Sequence, residues 1–301
     1  MHHLFTIFAA LMLLLSGNAF AAPPSVAVDI APLHSLVSQV MEDVGEPMLL
    51  IPAGASPHHY TLKPSEAKAI EDANVVFWIG KRLSPWLDKA LHNLTRKAQN
   101  IAMLDIDGTT IYTSRKRAAL ESNKHENKQY DKTDPHAWLD PENAKLWVKH
   151  IGKTLSKIDP DNASIYSRNV TKATANLDAL IKATDSQVKE LDNPKFIVFH
   201  DAYQYFEKRF SISAAGSIKI GDAEDPSPAR IKEIQAIVNK LGVTCVFTEP
   251  QFNPDIVKIV FEGTGVSTVG EMDPLGQSLA IGSSHYQQLI EEMVKSLTQC
   301  K

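Results

Sequence analysis

Cysteine is nearly absent from this chain of 301 residues, which carries only Cys245 and Cys300. Two thiols so far apart do not make a zinc site of the CxxC kind. Basic residues hold no surplus: 31 Lys plus Arg stand against 35 Asp plus Glu, a net charge of −4. Without a basic excess the chain has no electrostatic footprint for nucleic acid or an anionic membrane. Gly and Pro, 14 and 17 residues, are too few for a low-complexity or collagenous chain. There is no Walker motif, no HExxH and no G-x-S-x-G elbow, so nothing marks a P-loop ATPase, a zincin or an α/β-hydrolase. The one long apolar run, Leu4 to Leu15 interrupted by Thr6, falls short of the roughly 20 residues that cross a bilayer.

That run is followed by Ser16-Gly17-Asn18-Ala19-Phe20-Ala21, an A-x-A cleavage site. Residues 1–21 therefore read as a signal peptide and Ala22 as the first mature residue, although the n-region has only His2 and His3 in place of Lys or Arg. The mature chain is expected to be exported and soluble, with no membrane span. An even cysteine count in that compartment favours a bridge between Cys245 and Cys300, the rival being two reduced core thiols. A bridge would pin the last helix to a core strand.

With 44% hydrophobic and 22% charged residues, the chain has ample material for a packed core and about two domains of length. Short apolar runs alternate with amphipathic stretches, the pattern of βα units around parallel sheets. One set of expected strands is Val26 to Ile30, Met48 to Ile51, Val75 to Ile79 and Ile101 to Leu104. A second set is Phe196 to Phe199, Ile212 to Ala215, Val243 to Phe247 and Val266 to Val269. Ser84-Pro85, Asp140-Pro141, Asp159-Pro160, Ser227-Pro228 and Asn253-Pro254 each place a capping side chain before a proline suited to a first helical turn. Between the two sets, Asp161 to Leu191 contains neither Gly nor Pro, and apolar residues recur near the helical period at Tyr166, Val170, Ala173, Leu177, Ile181 and Val188. The expected fold is α/β: two parallel-sheet lobes joined by one long connecting helix. The lobes would span residues 22–158 and 194–301, with the connector over 159–193. Residues 107–133, rich in mixed charge and poor in apolar side chains, read as a mobile surface loop with a solvated His125.

Four residues could carry chemistry. His58 lies in a loop beyond the second strand, and His136 precedes a capped helix. His200 ends the strand that starts at Phe196, and Asp273 follows the last strand. His34, His92, His150 and His285 sit inside helical patterns and are set aside. Ligands of open parallel sheets bind beyond the carboxyl ends of strands, so facing lobes would bring the four together in one cleft. Three imidazoles and a carboxylate suit a borderline cation, zinc above all. From spacing alone this convergence is one arrangement among several, because the four lie far apart along the chain.

Five segments add to this reading: GASPHHYTLKPSEAKAIEDANVVFWIG (54–80), HAWLDPE (136–142), FIVFHDAYQYFEKRF (196–210), CVFTEPQF (245–252) and MDPLG (272–276). Together they resemble the periplasmic zinc-binding proteins of the ZnuA type, in the metal-binding subgroup of ABC-transporter solute-binding proteins. The resemblance covers essentially the whole mature chain. It implies a metal site in the inter-lobe cleft with His58, His136 and His200 as ligands; His59 is the neighbour that alignment passes over. It implies that Asp273 is a fourth ligand, with water as the rival, and that Cys245 and Cys300 form a disulfide. Tyr60, Asp201 and Glu249 are candidates to orient the ligand imidazoles. The implied function is capture of Zn²⁺ in the periplasm, by a monomer, and its delivery to an inner-membrane permease driven by a cytoplasmic ATPase. The alternatives are manganese as the carried ion and, in a different class, a zinc-dependent hydrolase. The chain departs from the pattern at 107–133, which lacks the histidine-rich character of many zinc members, and at Pro57, where some members have an acidic residue.

Overall fold

A computed structural model describes residues 22–95, 97–115, 133–192, 194–219, 226–253 and 255–300. The expected signal peptide (1–21) and His125 lie outside the described residues. The first lobe is a parallel sheet of β1 (Val26–Val28), β2 (Met48–Leu49), β3 (Val75–Trp78) and β4 (Gln99–Ala102) in the order β2-β1-β3-β4. The second repeats this arrangement with β5 (Phe196–His200), β6 (Gly216–Lys219), β7 (Cys245–Thr248) and β8 (Thr268–Glu271) in the order β6-β5-β7-β8. The central strands β1, β3 and β5 are buried along their whole length, as their continuous apolar runs require of a sheet covered on both faces. In each sheet the strand order reverses beside the first strand, between β1 and β3 and between β5 and β7. Such reversals open a crevice at the strands' carboxyl ends.

Three strands lie elsewhere than their apolar runs indicate. β8 is Thr268–Glu271 rather than Val266 to Val269. β6 is Gly216–Lys219 rather than Ile212 to Ala215. Its small Gly216 and Ser217 pair with Ile197 and Val198, and buried neighbours rather than its own hydrophobicity define it. β4 begins at Gln99, two residues before the expected start, and Met103–Asp105 turns off as a 3₁₀ helix.

The helices are α1 (Ala31–Met41), α2 (Pro64–Asp72), α3 (Pro85–Leu94), α4 (Pro141–Ile158), α5 (Ala163–Lys189), α6 (Gln204–Phe210), α7 (Pro228–Leu241), α8 (Asp255–Phe261) and α9 (His285–Leu297). The connector α5 has 27 residues, about 40 Å of helix, and follows a 3₁₀ turn over Pro160–Asn162. It buries Tyr166, Ala173, Leu177, Leu180 and Val188 along one stripe. It packs closely on α4, where a Cβ on Gly152 would collide with Val170. Asp140 and Ser227 cap α4 and α7 by accepting from the Glu142 and Arg230 N–H groups at 2.9 and 3.2 Å. Ser84 does not cap α3; its hydroxyl donates to the Pro57 carbonyl instead.

The closing helix crosses to the first lobe. The Ser35 hydroxyl donates to the Ser283 carbonyl and accepts from the Tyr286 N–H, at 2.9 and 3.0 Å. Tyr286 and Trp138 then cross-link the two halves of the chain: the Tyr286 hydroxyl donates to Trp138 O and the Trp138 indole to Pro274 O. At the far end of α9, Cys300 is disulfide-bonded to Cys245 on β7.

One buried charge in the first lobe gives stability a pH dependence. Asp29, at the end of β1, is fully buried and accepts from the Ile30 and Ile79 N–H groups at 2.8 Å each. Burial outweighs those donors and pushes its carboxyl up to about 7. The folded form thus holds this proton more tightly than the unfolded chain, whose carboxyl titrates near 3.9. The resulting stabilisation is complete below about pH 4 and is lost as pH rises through about 7, at up to roughly 1.4 kcal/mol per pH unit between them. Thermal unfolding of the metal-free protein should therefore show a fall from pH 5 to pH 8 that Asp29→Asn flattens. Parallel profiles for the two proteins would contradict the assignment.

Candidate metal centre

His58, His136 and His200 meet where the two lobes face each other. Each is delivered by a different device. His58 sits in the loop after β2, and that loop is fastened through Pro57, whose carbonyl accepts from the Ser84 hydroxyl at 2.9 Å and the Trp86 indole at 2.8 Å. The serine expected to start α3 thus holds a ligand loop instead. His136 precedes a 3₁₀ turn, Ala137–Leu139, that leads into α4. His200 is the last residue of β5, at the strand reversal of the second lobe.

The ring centroids are separated by 5.2 Å (His136 to His200), 5.5 Å (His58 to His136) and 6.4 Å (His58 to His200). One nitrogen from each ring falls within 4.8 Å of the other two. His136 and His200 are buried, and His58 is partly exposed.

Outer contacts set the tautomers. Asp134 Oδ1 lies 2.7 Å from His136 Nδ1, and Glu249 Oε1 lies 2.7 Å from His200 Nδ1. A carboxylate beside Nδ1 places the proton there and leaves Nε2 as a bare donor. The two Nε2 atoms face each other at 3.4 Å. Two lone pairs at that distance repel, and either a shared proton or a metal ion between them relieves the repulsion. The spacing also fits one: the edge of a tetrahedron around zinc with Zn–N bonds of about 2.0–2.1 Å is about 3.3 Å.

The carboxylates are themselves held. The Gln204 amide donates to Asp134 Oδ2 at 2.9 Å and the Gln251 amide to Glu249 Oε2 at 2.7 Å. Burial pushes the Asp134 carboxyl up, but its bonds to His136 and Gln204 outweigh this and hold it below the ordinary range. Because Gln204 belongs to α6, the support of a first-lobe histidine comes from across the cleft.

Of the residues expected to orient the imidazoles, Glu249 does so directly. Tyr60 does not: its hydroxyl donates to Glu66 at 2.8 Å and its ring meets Trp86 edge-on. Asp201 instead pairs with Arg115, which also holds Glu207 at 2.9 Å. Burial raises both acids even with the guanidinium beside them. Arg115 belongs to the segment expected to be a mobile surface loop, 107–133, and its side chain is buried between those two acids. Its charge neutralises two buried carboxylates, and nearby Tyr112 packs on Tyr205 at 4.8 Å. Residues 116–132 lie outside the described residues.

Asp273 does not join the histidines. Its oxygens accept from the Leu275 and Gln277 N–H groups at 2.8 and 2.5 Å, closing its own turn. Asp134 was not among the candidates; the signal for it was an acid two residues before His136.

The family described as "ZnuA: Zinc-uptake complex component A periplasmic" matches residues 26–300. The chain belongs to the ZnuA family. A ZnuA of Brucella abortus (strain 2308), a high-affinity zinc uptake system protein, is 38% identical over 329 residues, spanning 100% of this chain and 98% of its own. A solved ZnuA structure is 25% identical with a TM-score of 0.75 and covers 90% of this chain and 98% of that one. FpvC of Pseudomonas aeruginosa, solved in complex with Mn²⁺, shares the fold at 21% identity and a TM-score of 0.76, covering 91% of this chain and 97% of its own.

Were a zinc ion held by these imidazoles, the outer carboxylates would have a measurable role. Losing an outer partner of a metal-bound histidine weakens binding about 10–100-fold. Glu249→Gln is expected to fall in that range for zinc, because a glutamine can present its N–H to Nδ1 and turn the ring's proton toward the metal. Unaltered affinity in a chelator-competition titration would remove Glu249 from the centre.

Proposed function

We propose that this ZnuA-family chain is the periplasmic zinc-binding component of a zinc uptake system. It captures Zn²⁺ in the cleft and passes it to an inner-membrane permease driven by a cytoplasmic ATPase. The observation that carries this reading is the meeting of His58, His136 and His200, with one nitrogen of each within 4.8 Å of the others. We assign these three as the protein ligands and water as the fourth, since both Asp273 oxygens serve backbone N–H groups. Asp273→Asn should then leave zinc affinity within about threefold. We further read residues 22–158 and 194–301 as the two lobes, with 159–193 as the connector.

Three neutral nitrogens favour zinc over manganese, which prefers more oxygen ligands. Zinc should displace manganese in a fluorescence titration at far lower concentration, and the protein purified without added metal should carry zinc. Manganese in that preparation, with no zinc preference on titration, would overturn the assignment of the ion. We propose no catalytic step. Besides the water position, a zinc hydrolase needs a placed base, and here the acids near the imidazoles are engaged at Nδ1. Metal-dependent turnover of generic ester, phosphate or amide substrates would contradict this.

A further inference from the structure

Arg115, which follows β4 in the chain, reaches across the cleft to two acids that follow β5. Its Nε donates to both Asp201 oxygens at 3.1 Å, and its two terminal nitrogens donate to the Glu207 oxygens at 2.9 and 3.0 Å. The cation is 9% exposed and each acid 3%, so the cluster is closed to solvent. Asp201 directly follows His200, and the guanidinium therefore fixes the chain one residue from that imidazole.

A second tie starts two residues earlier. The Gln204 amide on α6 donates to the Thr113 carbonyl at 3.0 Å and also to Asp134, the acid that sets the His136 tautomer, at 2.9 Å. The short stretch 113–115 thus touches the supports of two imidazoles that come from opposite lobes. Tyr205 adds uncharged ties along the same seam: its hydroxyl donates to Asp134 O at 2.8 Å and accepts from the Tyr112 N–H at 3.0 Å.

We propose that Arg115 is a positioning residue, a clasp that holds the two sides of the cleft together behind His136 and His200 and so slows the loss of zinc. This inference rests on the reading of His58, His136 and His200 as the zinc site. Parting the two sides draws the guanidinium from between its two carboxylates. Breaking a buried ion pair is costly because the charges left behind are neither paired nor fully hydrated. The planar fork of arginine serves two acids at once, which a lysine ammonium does not reproduce. The sign of the effect separates a clasp from a simple field. The field of a cation opposes binding of a dication, so its removal would by electrostatics alone tighten the hold on zinc. Loss of a clasp loosens it.

The test compares wild type, Arg115→Met, Arg115→Lys, Glu207→Gln and His200→Ala. Zinc affinity is measured by chelator competition, uptake and release by stopped-flow mixing with zinc and with a chelator, and folding by melting of the metal-free proteins. Well below its melting temperature, Arg115→Met should release zinc roughly tenfold faster or more. Its uptake rate should stay near wild type, and its affinity should fall by the same factor as release rises. Arg115→Lys should lie between the two. A merely structural role would not confine the change to release or let a lysine recover part of it. Glu207→Gln loosens one arm of the clasp and leaves Asp201 and the three histidines in place, and its faster release carries the test should Arg115→Met fail to fold. Release that is unchanged or slowed in the folded variants overturns the inference while leaving the zinc site intact, provided His200→Ala has lost binding. If His200→Ala binds as wild type does, the site assignment itself has failed.

Discussion

Alanine in place of His200 is expected to lower zinc affinity by well over a hundredfold. That exceeds the roughly 10–100-fold cost of losing an outer partner, because the change removes a ligand and also strips Glu249 of the ring it holds. The remaining His58 and His136 nitrogens would need water at two positions, and Glu249 would lose its imidazole partner while its Oε1 still accepts from the residue-200 N–H. The same loss, smaller at His58, is expected for each of the three. His58 is the partly exposed one of the three, so solvent can substitute there more readily than beside His136 or His200. Protons compete with the metal for the same nitrogens, so affinity should also fall as the solution is acidified. Isothermal titration with a competing chelator reads all of these. Near-wild-type affinity in all three alanine variants would refute the site.

Removing the disulfide should have the largest effect on stability. Cys245 and Cys300 are 55 residues apart in sequence, and in the chain-entropy model closing such a loop stabilises by about 4 kcal/mol. Cys245→Ser with Cys300→Ser is therefore expected to shift the urea midpoint markedly downward. The loss acts mainly through the unfolded chain. In the folded state α9 keeps its buried Leu289, Ile290, Met293 and Leu297, and β7 remains paired with β5 and β8. Glu249 should consequently stay in place, with zinc affinity within about threefold of wild type. An unchanged midpoint in the double variant would show that the bridge constrains little that the core does not already fix.

The sequence carried the outline of the site because its pieces are local. His58 sits in a loop after a strand, His136 shortly before a capped helix and His200 at a strand end, and those positions are legible from apolar runs and from the Asp140-Pro141 pair. What was not legible depends on contacts between segments distant in the chain. Ser84 looks like a helix cap, but the carbonyl it meets belongs to Pro57. Arg115 looks like one solvated charge among many, and only the fold brings Asp201 and Glu207 around it. Asp273 has the composition of a ligand, and its turn uses both of its oxygens. β6 has a single apolar side chain, so no pattern within it distinguishes a strand from the approach that precedes it. The reverse holds for Asp134, which was readable two residues from His136 and needed only the question of what fixes that ring's tautomer.

The most direct measurement is a zinc-edge anomalous difference map from crystals of the zinc-loaded mature protein. One strong peak is expected in the cleft, about 2.0–2.1 Å from a ring nitrogen of each of His58, His136 and His200, with a water completing the four. A principal peak elsewhere, or one that any of these three imidazoles fails to reach, would contradict the three-histidine site.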